Sequence, residues 1–536
     1  MNNLAVVYYL FFTSVIAVAA AVNTSQTITH FVNGLSLSSA DSRAIQGRLL
    51  GNVESLEVVF SGASIASSIV VQLACYTAQI VLGTSAVASA GNQTEVEGTW
   101  SEACWEAPTC TILPNSDQDV SLAVKIVNFF QTKFAVRSGG HSPNPGWSSI
   151  GQPGILIDLK QLNEITVSSD AAVVSLGPGN RWGSVYSALA PYEVTVIGGR
   201  INDVGVGGLI LGGGLFHLSG EFGLAADNVQ NFHVVLANGT IIDANSDQNT
   251  DLFWALKGGG PNFGIVTRYD LYTIPVYNLW FEVLYYTPDQ VPDVLDAFAE
   301  WQTNGASVDN KSTVAMVISL DSVVVGLLYS QPTATQPAAF APFYDLNPAE
   351  VALAGSNGTI TELMELFGET GSTAAERHDY RSASSKVDAE LYKEIYAFWV
   401  EQATSVYNQT GANQTFVLQP IPGSLIDAGN ARGGNPLGLP YENMQWWTTL
   451  IDWVDAADDD LVRGVSIATT EKWQSLATAR GSASDFIYMN DASRDQNPLG
   501  TYGSSNLAQL KAIAEKYDPS KVFQRLQNGG FLLSTA

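Results

Sequence analysis

A chain of 536 residues, 46% of them hydrophobic, carries enough apolar mass for two or three domains with cores of their own. Its 51 acidic against 24 basic residues give a formal charge of −27, which repels nucleic acid and anionic membrane surfaces and excludes both as partners.

Residues 2–23 are apolar and uncharged, and Ala17-Val-Ala19 and Ala19-Ala-Ala21 offer the small residues at which signal peptides are cut. Residues 1–21 therefore read as a secretory signal peptide, with a membrane anchor as the alternative and no Lys or Arg near the start to strengthen the pattern. The chain is then expected in the secretory lumen or outside the cell. Seven Asn-X-Ser/Thr sequons (Asn23, Asn92, Asn238, Asn310, Asn357, Asn408 and Asn413) fit that route, although Asn238-Gly239 reads first as a hairpin turn. A second uncharged stretch, 58–94, is too rich in Ser, Gly and Thr for a bilayer span and reads as packed helix with loops. Residues 22–103 are taken as an N-terminal helical region. Of Cys75, Cys104 and Cys110, one pair suits a disulfide in an oxidising compartment and one thiol stays over; the pairing is open, and the spacing is not that of a zinc site.

From Asp117 the pattern becomes regular. The apolar spacing from Asp119 predicts a helix, Lys133–Arg137 a buried strand, and Trp182–Leu189 a further helix. Ile155–Asp158, Ala172–Leu176, Val194–Ile197, His233–Leu236 and Thr240–Asp243 continue a strand-rich α+β region bounded by Gly, Pro and Asn. The strand ending at Arg137 empties into Gly139 and Gly140 and then presents His141. Two more glycine clusters follow, at 205–214 and 258–264. Bare backbone lets a ligand approach closely and offers N–H groups to anionic oxygen, so three such loops point to one large phosphate-bearing cofactor. A Rossmann turn is excluded because Ile210 stands where its third glycine belongs, and a P-loop because Leu215-Phe216 follows Gly214. Extended backbone crossing a diphosphate at Gly207 and Gly208 is left as the reading. After Tyr272–Pro275 the composition shifts. Strands at Phe281–Tyr286, within 312–325 and at Phe416–Pro420, with helices near 291–302 and 388–401, make a second domain with its own sheet.

The ordered series Arg137-Ser-Gly-Gly-His-Ser142, Gly177-Pro-Gly-Asn-Arg-Trp-Gly183, Gly198-Gly-Arg200, Val204-Gly-Val-Gly-Gly208, Asp227-Asn228 and Asp251-Leu-Phe-Trp-Ala-Leu-Lys-Gly-Gly-Gly260 resembles FAD-linked oxidases of the vanillyl-alcohol-oxidase superfamily, berberine-bridge-enzyme-like group. The likeness runs with gaps from about Trp100 to the C-terminus. It implies an α+β fold: a two-part PCMH-type FAD-binding domain at 104–276, a substrate domain at 277–484 whose antiparallel sheet, flanked by helices, roofs the flavin, and a segment at 485–536 that returns to the FAD domain. In that group the histidine of the first motif is bonded to the flavin 8α-methyl, and His141 matches it. Bicovalent members carry a cysteine where this chain has Ile201, so a monocovalent histidyl-FAD is expected. The resemblance assigns cofactor contacts to Arg137, Ser138, Gly139, Gly140, His141, Ser142, Gly199, Val204, Gly207, Gly208, Gly212, Asp227, Asn228, Gly264, Val266, Tyr488 and Asn490, the last two on the group's Tyr-X-Asn element.

The chemistry of such a site requires a C–H bond held over flavin N5 and a base for an O–H or N–H proton. Tyr488 is the first candidate, followed by Tyr441, Glu442 and Gln445. Trp280, Tyr285, Tyr286, Trp399, Tyr441, Trp446 and Trp447 suit stacking on a sugar or an aromatic ring. His217 and His233 read as structural. No histidine pair has metal-ligand spacing with a carboxylate, so no metal is expected. With neither a nicotinamide fold nor an iron or haem ligand set, dioxygen is the expected electron acceptor. The reading is an FAD-dependent oxidase of a small phenolic or polyketide metabolite that forms hydrogen peroxide. The alternatives are a carbohydrate oxidase of the same group and a flavin-loaded protein without turnover.

Overall fold

The computed structural model of the chain describes residues 24–61, 66–368 and 376–536, so the segment read as a signal peptide and the Asn23 sequon lie outside the described residues. Helices α1 (Ser39–Leu50), α2 (Val53–Phe60), α3 (Ser68–Leu82) and α4 (Asp117–Phe130) share one core with a four-stranded sheet. Helix α4 starts where Ser116 accepts the Asp119 N–H at 3.1 Å, with Asp117 and Asp119 in its positive first turn. It buries Val120, Val124 and Val127 and stops at Gln131, whose backbone is left-handed.

The sheet order is β1 (Val87–Ser89), β2 (Cys110–Ile112), β4 (Ile155–Asp158), β3 (Phe134–Arg137), with β4 parallel to both its neighbours. Strand β1 lies within the region taken as helical, so this sheet begins earlier in the chain than residue 104. A disulfide joins Cys75 of α3 to Cys110 of β2, and Cys104 is the free, buried thiol. The C-terminus runs back along β3, where the Phe134 N–H donates to the Leu526 carbonyl at 3.0 Å and Asn528 N–H to the Phe134 carbonyl at 2.7 Å.

A second, antiparallel sheet has the order β5 (Ile165–Val167), β6 (Val173–Leu176), β9 (Ile265–Tyr272), β7 (Val229–Val235), β8 (Ile241–Asn245). The strand expected at Val194–Ile197 is reduced to a single bridge between Thr195 and Ile274. The chain turns away at once because Gly198 and Gly199 press on the Trp182 ring. Helix α5 spans Trp182–Leu189, as the apolar pattern predicts.

The third sheet is antiparallel, in the order β13 (Glu350–Thr359), β10 (Asn278–Tyr286), β12 (Val323–Tyr329), β11 (Ser312–Ile318), β16 (Phe416–Ile421), β17 (Met444–Trp453), β14 (Arg377–Lys386), β18 (Ala483–Ser484), with β15 (Asn413–Gln414) beside β17. Side chains alternate between its faces. Met444, Trp446 and Ile421 join the core of the second sheet. Trp447, Ile451 and Leu418 instead pack under three covering helices, Val291–Glu300, Ala389–Thr410 and Asp459–Arg480.

Two buried ionisable side chains, one charged and one neutral, shape stability. Arg137, 2% exposed, donates to Asp158 at 2.7 and 3.0 Å, to the Glu95 carboxylate at 3.3 Å and to the Glu95 carbonyl at 2.8 Å. Its guanidinium therefore ties β3 to the segment leading into Trp100. Arg137→Ala leaves Asp158 buried with only Lys160 at 4.0 Å, while Glu95 keeps Lys160 at 2.6 Å, and should cost about 3 kcal/mol, read as a lowered urea midpoint; an unchanged midpoint contradicts the clamp. His217 is buried between the rings of Phe216 and Phe367, and its Nε2 has no partner among the described residues. Burial first, and Arg200 second, hold its pKa down at about 3, against 6.5 ordinarily. Between these values the unfolded chain takes a proton that the folded chain refuses, so stability is complete above pH 6.5 and falls as pH drops toward 3. The slope from this residue reaches about 1.4 kcal/mol per pH unit. His217→Leu should show a smaller drop in urea midpoint between pH 7 and pH 5 than the parent protein.

Candidate active site

Two glycines set the site. A methyl group on Gly139 would lie 2.4 Å from the Gly205 Cα, and one on Gly205 would lie 2.5 Å from the Gly139 Cα. Backbone therefore rests on backbone, and no other residue fits at either position. Ser138 fastens the contact: its hydroxyl accepts the Gly207 N–H at 3.2 Å and donates to the Pro178 carbonyl. Val206 N–H donates to the Asn180 carbonyl at 3.0 Å, and Trp182 N–H to the Val204 carbonyl at 3.1 Å. Three motifs from 137–142, 177–183 and 204–208 are thus locked into one floor. Gly207 and Gly208 are not extended, as the sequence suggested, but lie in the short helix α6 (Val206–Leu211). Gly208 nonetheless opens outward, for a methyl group there would meet nothing within 4 Å.

His141 stands beside this floor. Gly140, with φ of +69°, turns the chain so that its carbonyl accepts the Trp100 N–H at 2.9 Å. The Trp100 ring then stacks against His141 at 4.3 Å and against His378 at 3.7 Å. The Tyr380 hydroxyl is 2.9 Å from His141 Nδ1, while Nε2 is buried without a partner among the described residues. Burial chiefly, then Arg181 and His378, hold the His141 pKa at about 3. The imidazole is neutral and keeps a lone pair. A buried, unpaired nitrogen costs about 1–3 kcal/mol and calls for an explanation, which a ligand atom supplies.

The C-terminal return closes the other side. Tyr488 stacks on Trp446 at 4.5 Å, and Asn490 Nδ2 donates to the Tyr488 hydroxyl at 3.0 Å and to the Leu209 carbonyl at 2.9 Å. Gly212 is required beneath it, since a methyl group there would lie 1.9 Å from Asn490 Oδ1. Burial, reinforced by Asp491, raises the Tyr488 pKa, so the residue is a neutral phenol and not a ready base. The other base candidates lie elsewhere. Tyr441 is 68% exposed, and Glu442 pairs with Lys386 at 3.0 Å on the outside. Gln445 accepts from Gln302 at 3.0 Å on the helix-covered face of the sheet, because residues 445 and 446 point in opposite directions.

The remaining expected cofactor residues hold the loops. The Gly199 carbonyl accepts from Tyr186 at 2.7 Å, and the Ser142 carbonyl accepts from the Cys104 thiol at 3.5 Å. Asp227 accepts from the Leu224 N–H at 3.0 Å and from Asn435 at 2.9 Å, and Asn228 donates to the Phe222 and Leu224 carbonyls. Gly264 presses on Val234 and Val235, and Val266 is buried within β9. Of the seven aromatics proposed for stacking, Trp280, Tyr286, Trp399 and Trp447 fill the core under the helices, and only Trp446 joins the core that holds Tyr488. Sequence reasoning missed Trp100, His378 and Tyr380, whose motif-free segments meet His141 only in the fold. It also missed that Glu376, just before β14, His378 of β14 and Asp452 of β17 bring three donor atoms within 4.8 Å of one another, with His378 Nδ1 already 2.6 Å from Asp452.

Residues 108–245 match the FAD binding domain family. The chain is 40% identical over 463 residues to an FAD-dependent monooxygenase of Arthrobotrys oligospora, covering 86% of this chain and 89% of that protein. It is 33% identical over 432 residues to the bifunctional solanapyrone synthase of Alternaria solani, covering 80% of this chain and 82% of that one. In fold it is similar to berberine bridge enzyme from Eschscholzia californica, with a TM-score of 0.68 at 17% identity over 85% of this chain and 98% of that structure. With the glycine floor, the histidine beside it and the roofing sheet all in place, the chain belongs to the FAD-dependent oxidoreductase family of these fungal relatives, and it shares the fold of berberine bridge enzyme.

Proposed function

We propose that the chain is an oxygen-dependent oxidase that carries FAD covalently on His141 and oxidises a small phenolic or polyketide metabolite with release of hydrogen peroxide. One observation carries this reading: a neutral, buried histidine nitrogen, without a partner among the described residues, stands where three bare-backbone loops converge. The residues fit FAD, since open main chain at Gly208 suits a diphosphate and the His141 lone pair suits alkylation at the ring methyl. Ile201 leaves no sulfur for a second tether. When bound, the flavin supplies hydride acceptance and the passage of electrons to dioxygen. The protein's own part is positional: Trp100 and His378 hold the imidazole plane, Tyr380 engages Nδ1, and Tyr488 and Trp446 present aromatic faces.

A secretory route is part of the proposal. The Cys75–Cys110 disulfide and the exposure of Asn92, Asn238, Asn310, Asn357, Asn408 and Asn413 support it, beside the apolar N-terminus. A second reading, oxygen insertion into the substrate, draws on the monooxygenase name of the Arthrobotrys relative. The name of the solanapyrone synthase supports a natural-product substrate over a sugar.

Acid-precipitated, purified protein should stay yellow and fluorescent, with an intact mass raised by one FAD, and His141→Ala should release its flavin on denaturation. A colourless chain, or flavin wholly freed from the parent protein by acid, contradicts the tether. With a turned-over phenol, peroxide equal to oxygen consumed identifies the oxidase, and labelled oxygen in the product identifies the second reading.

A further inference from the structure

A polar triad joins the three parts of the chain on the inner face of the roofing sheet. Arg200 comes from the glycine floor, Gln419 from β16 and Asp491 from the C-terminal return, one residue beyond the Tyr-X-Asn element. Arg200 donates to Gln419 Oε1, and Gln419 Nε2 donates to Asp491 Oδ2 at 2.6 Å. The amide is thereby fixed with its oxygen toward the cation and its nitrogen toward the anion, and a flip would break both bonds. Gln419 is 1% exposed, whereas Arg200 and Asp491 on either side remain partly accessible. Among the described residues Asp491 Oδ1 and the rest of the guanidinium carry no hydrogen bond, so an acceptor and several donors stay free for a ligand. The ionisable groups facing Asp491, besides Arg200, are Tyr488 and Tyr380, both kept neutral by burial.

We propose that Arg200, Gln419 and Asp491 form a proton-accepting cradle for an acidic hydroxyl, a phenol or enol, of the substrate. The inference rests on the proposed function and names its substrate class. In the step the O–H bond breaks, its electron pair stays on oxygen, the proton passes to Asp491 Oδ1, and Arg200 N–H groups take the phenolate oxygen. Charge is conserved, since one anion replaces another beside the same cation. Burial raises the carboxyl pKa of Asp491 with Arg200 opposing, so its carboxylate is a stronger proton acceptor than a free one.

The test uses flavin-loaded protein and 4-nitrophenol, with 4-nitroanisole as its proton-free analogue, over a pH series that rises to just below the dye's own pKa, so that the free dye stays largely protonated while the carboxylate ionises. The parent protein should bind the phenol about tenfold or more tightly over the ether and show the anion's visible band in the difference spectrum. Asp491→Asn, with flavin content unchanged, should bind the dye without that band. Arg200→Met should lose about tenfold in affinity, and Arg200→Lys should restore part of it. Equal binding of phenol and ether, no binding of the dye, or a full anion band in Asp491→Asn overturns the inference. Absence of flavin from the parent protein is a separate failure and sinks the proposed function instead.

Discussion

The Gly139–Gly205 contact is the constraint from which the rest of the architecture follows. Because neither Cα tolerates a Cβ facing it, the loop after β3 and the loop before helix α6 meet main chain to main chain, and Ser138 can then reach both Gly207 and Pro178. That contact joins the first sheet, which carries residue 137, to the second, which follows from residue 165. It also sets where His141 emerges. Arg137 holds the opposite end of the same loop by pairing with Asp158 and Glu95, and through residues 95–100 it places Trp100 on the imidazole.

The third sheet contributes by parity. One face carries Trp446, Gln419, Tyr380 and His378 toward the cofactor part, and the other carries Trp447, Gln445 and Asp379 toward the helices. A protein with a charge of −27 thus places two arginines, Arg181 and Arg200, where their fields reach His141 and Asp491. Two histidines, His141 and His217, are neutral for the same reason: burial disfavours the cation and a nearby guanidinium adds to it.

Much of this was legible in the sequence wherever the signal was local. The helix over Trp182–Leu189 and the strand into Gly139 depend on neighbouring residues, and the spacing of their apolar positions is enough to find them. Gln445 was misplaced because one step along a strand reverses the face, and nothing within Leu439–Trp447 says which face is inward. The buried pairing of Arg137 with Glu95 and Asp158 could not be read ahead because those partners are far away in sequence. The stack of His141, Trp100 and His378 spans residues 100 to 378 and has no motif of its own. Asp491 stood one place past a recognised element, and only the register of β16 brings Gln419 to it.

The backbone contact of the two glycines builds the flavin floor. Flavin content and thermal unfolding of Gly205→Ala, measured beside Gly208→Ala, test it most directly. The methyl at 205 should lower both the melting temperature and the bound flavin, while the methyl at 208, facing open space, should leave the fold as stable as the parent's. A Gly205→Ala protein that melts at the parent temperature with a full complement of flavin would contradict it.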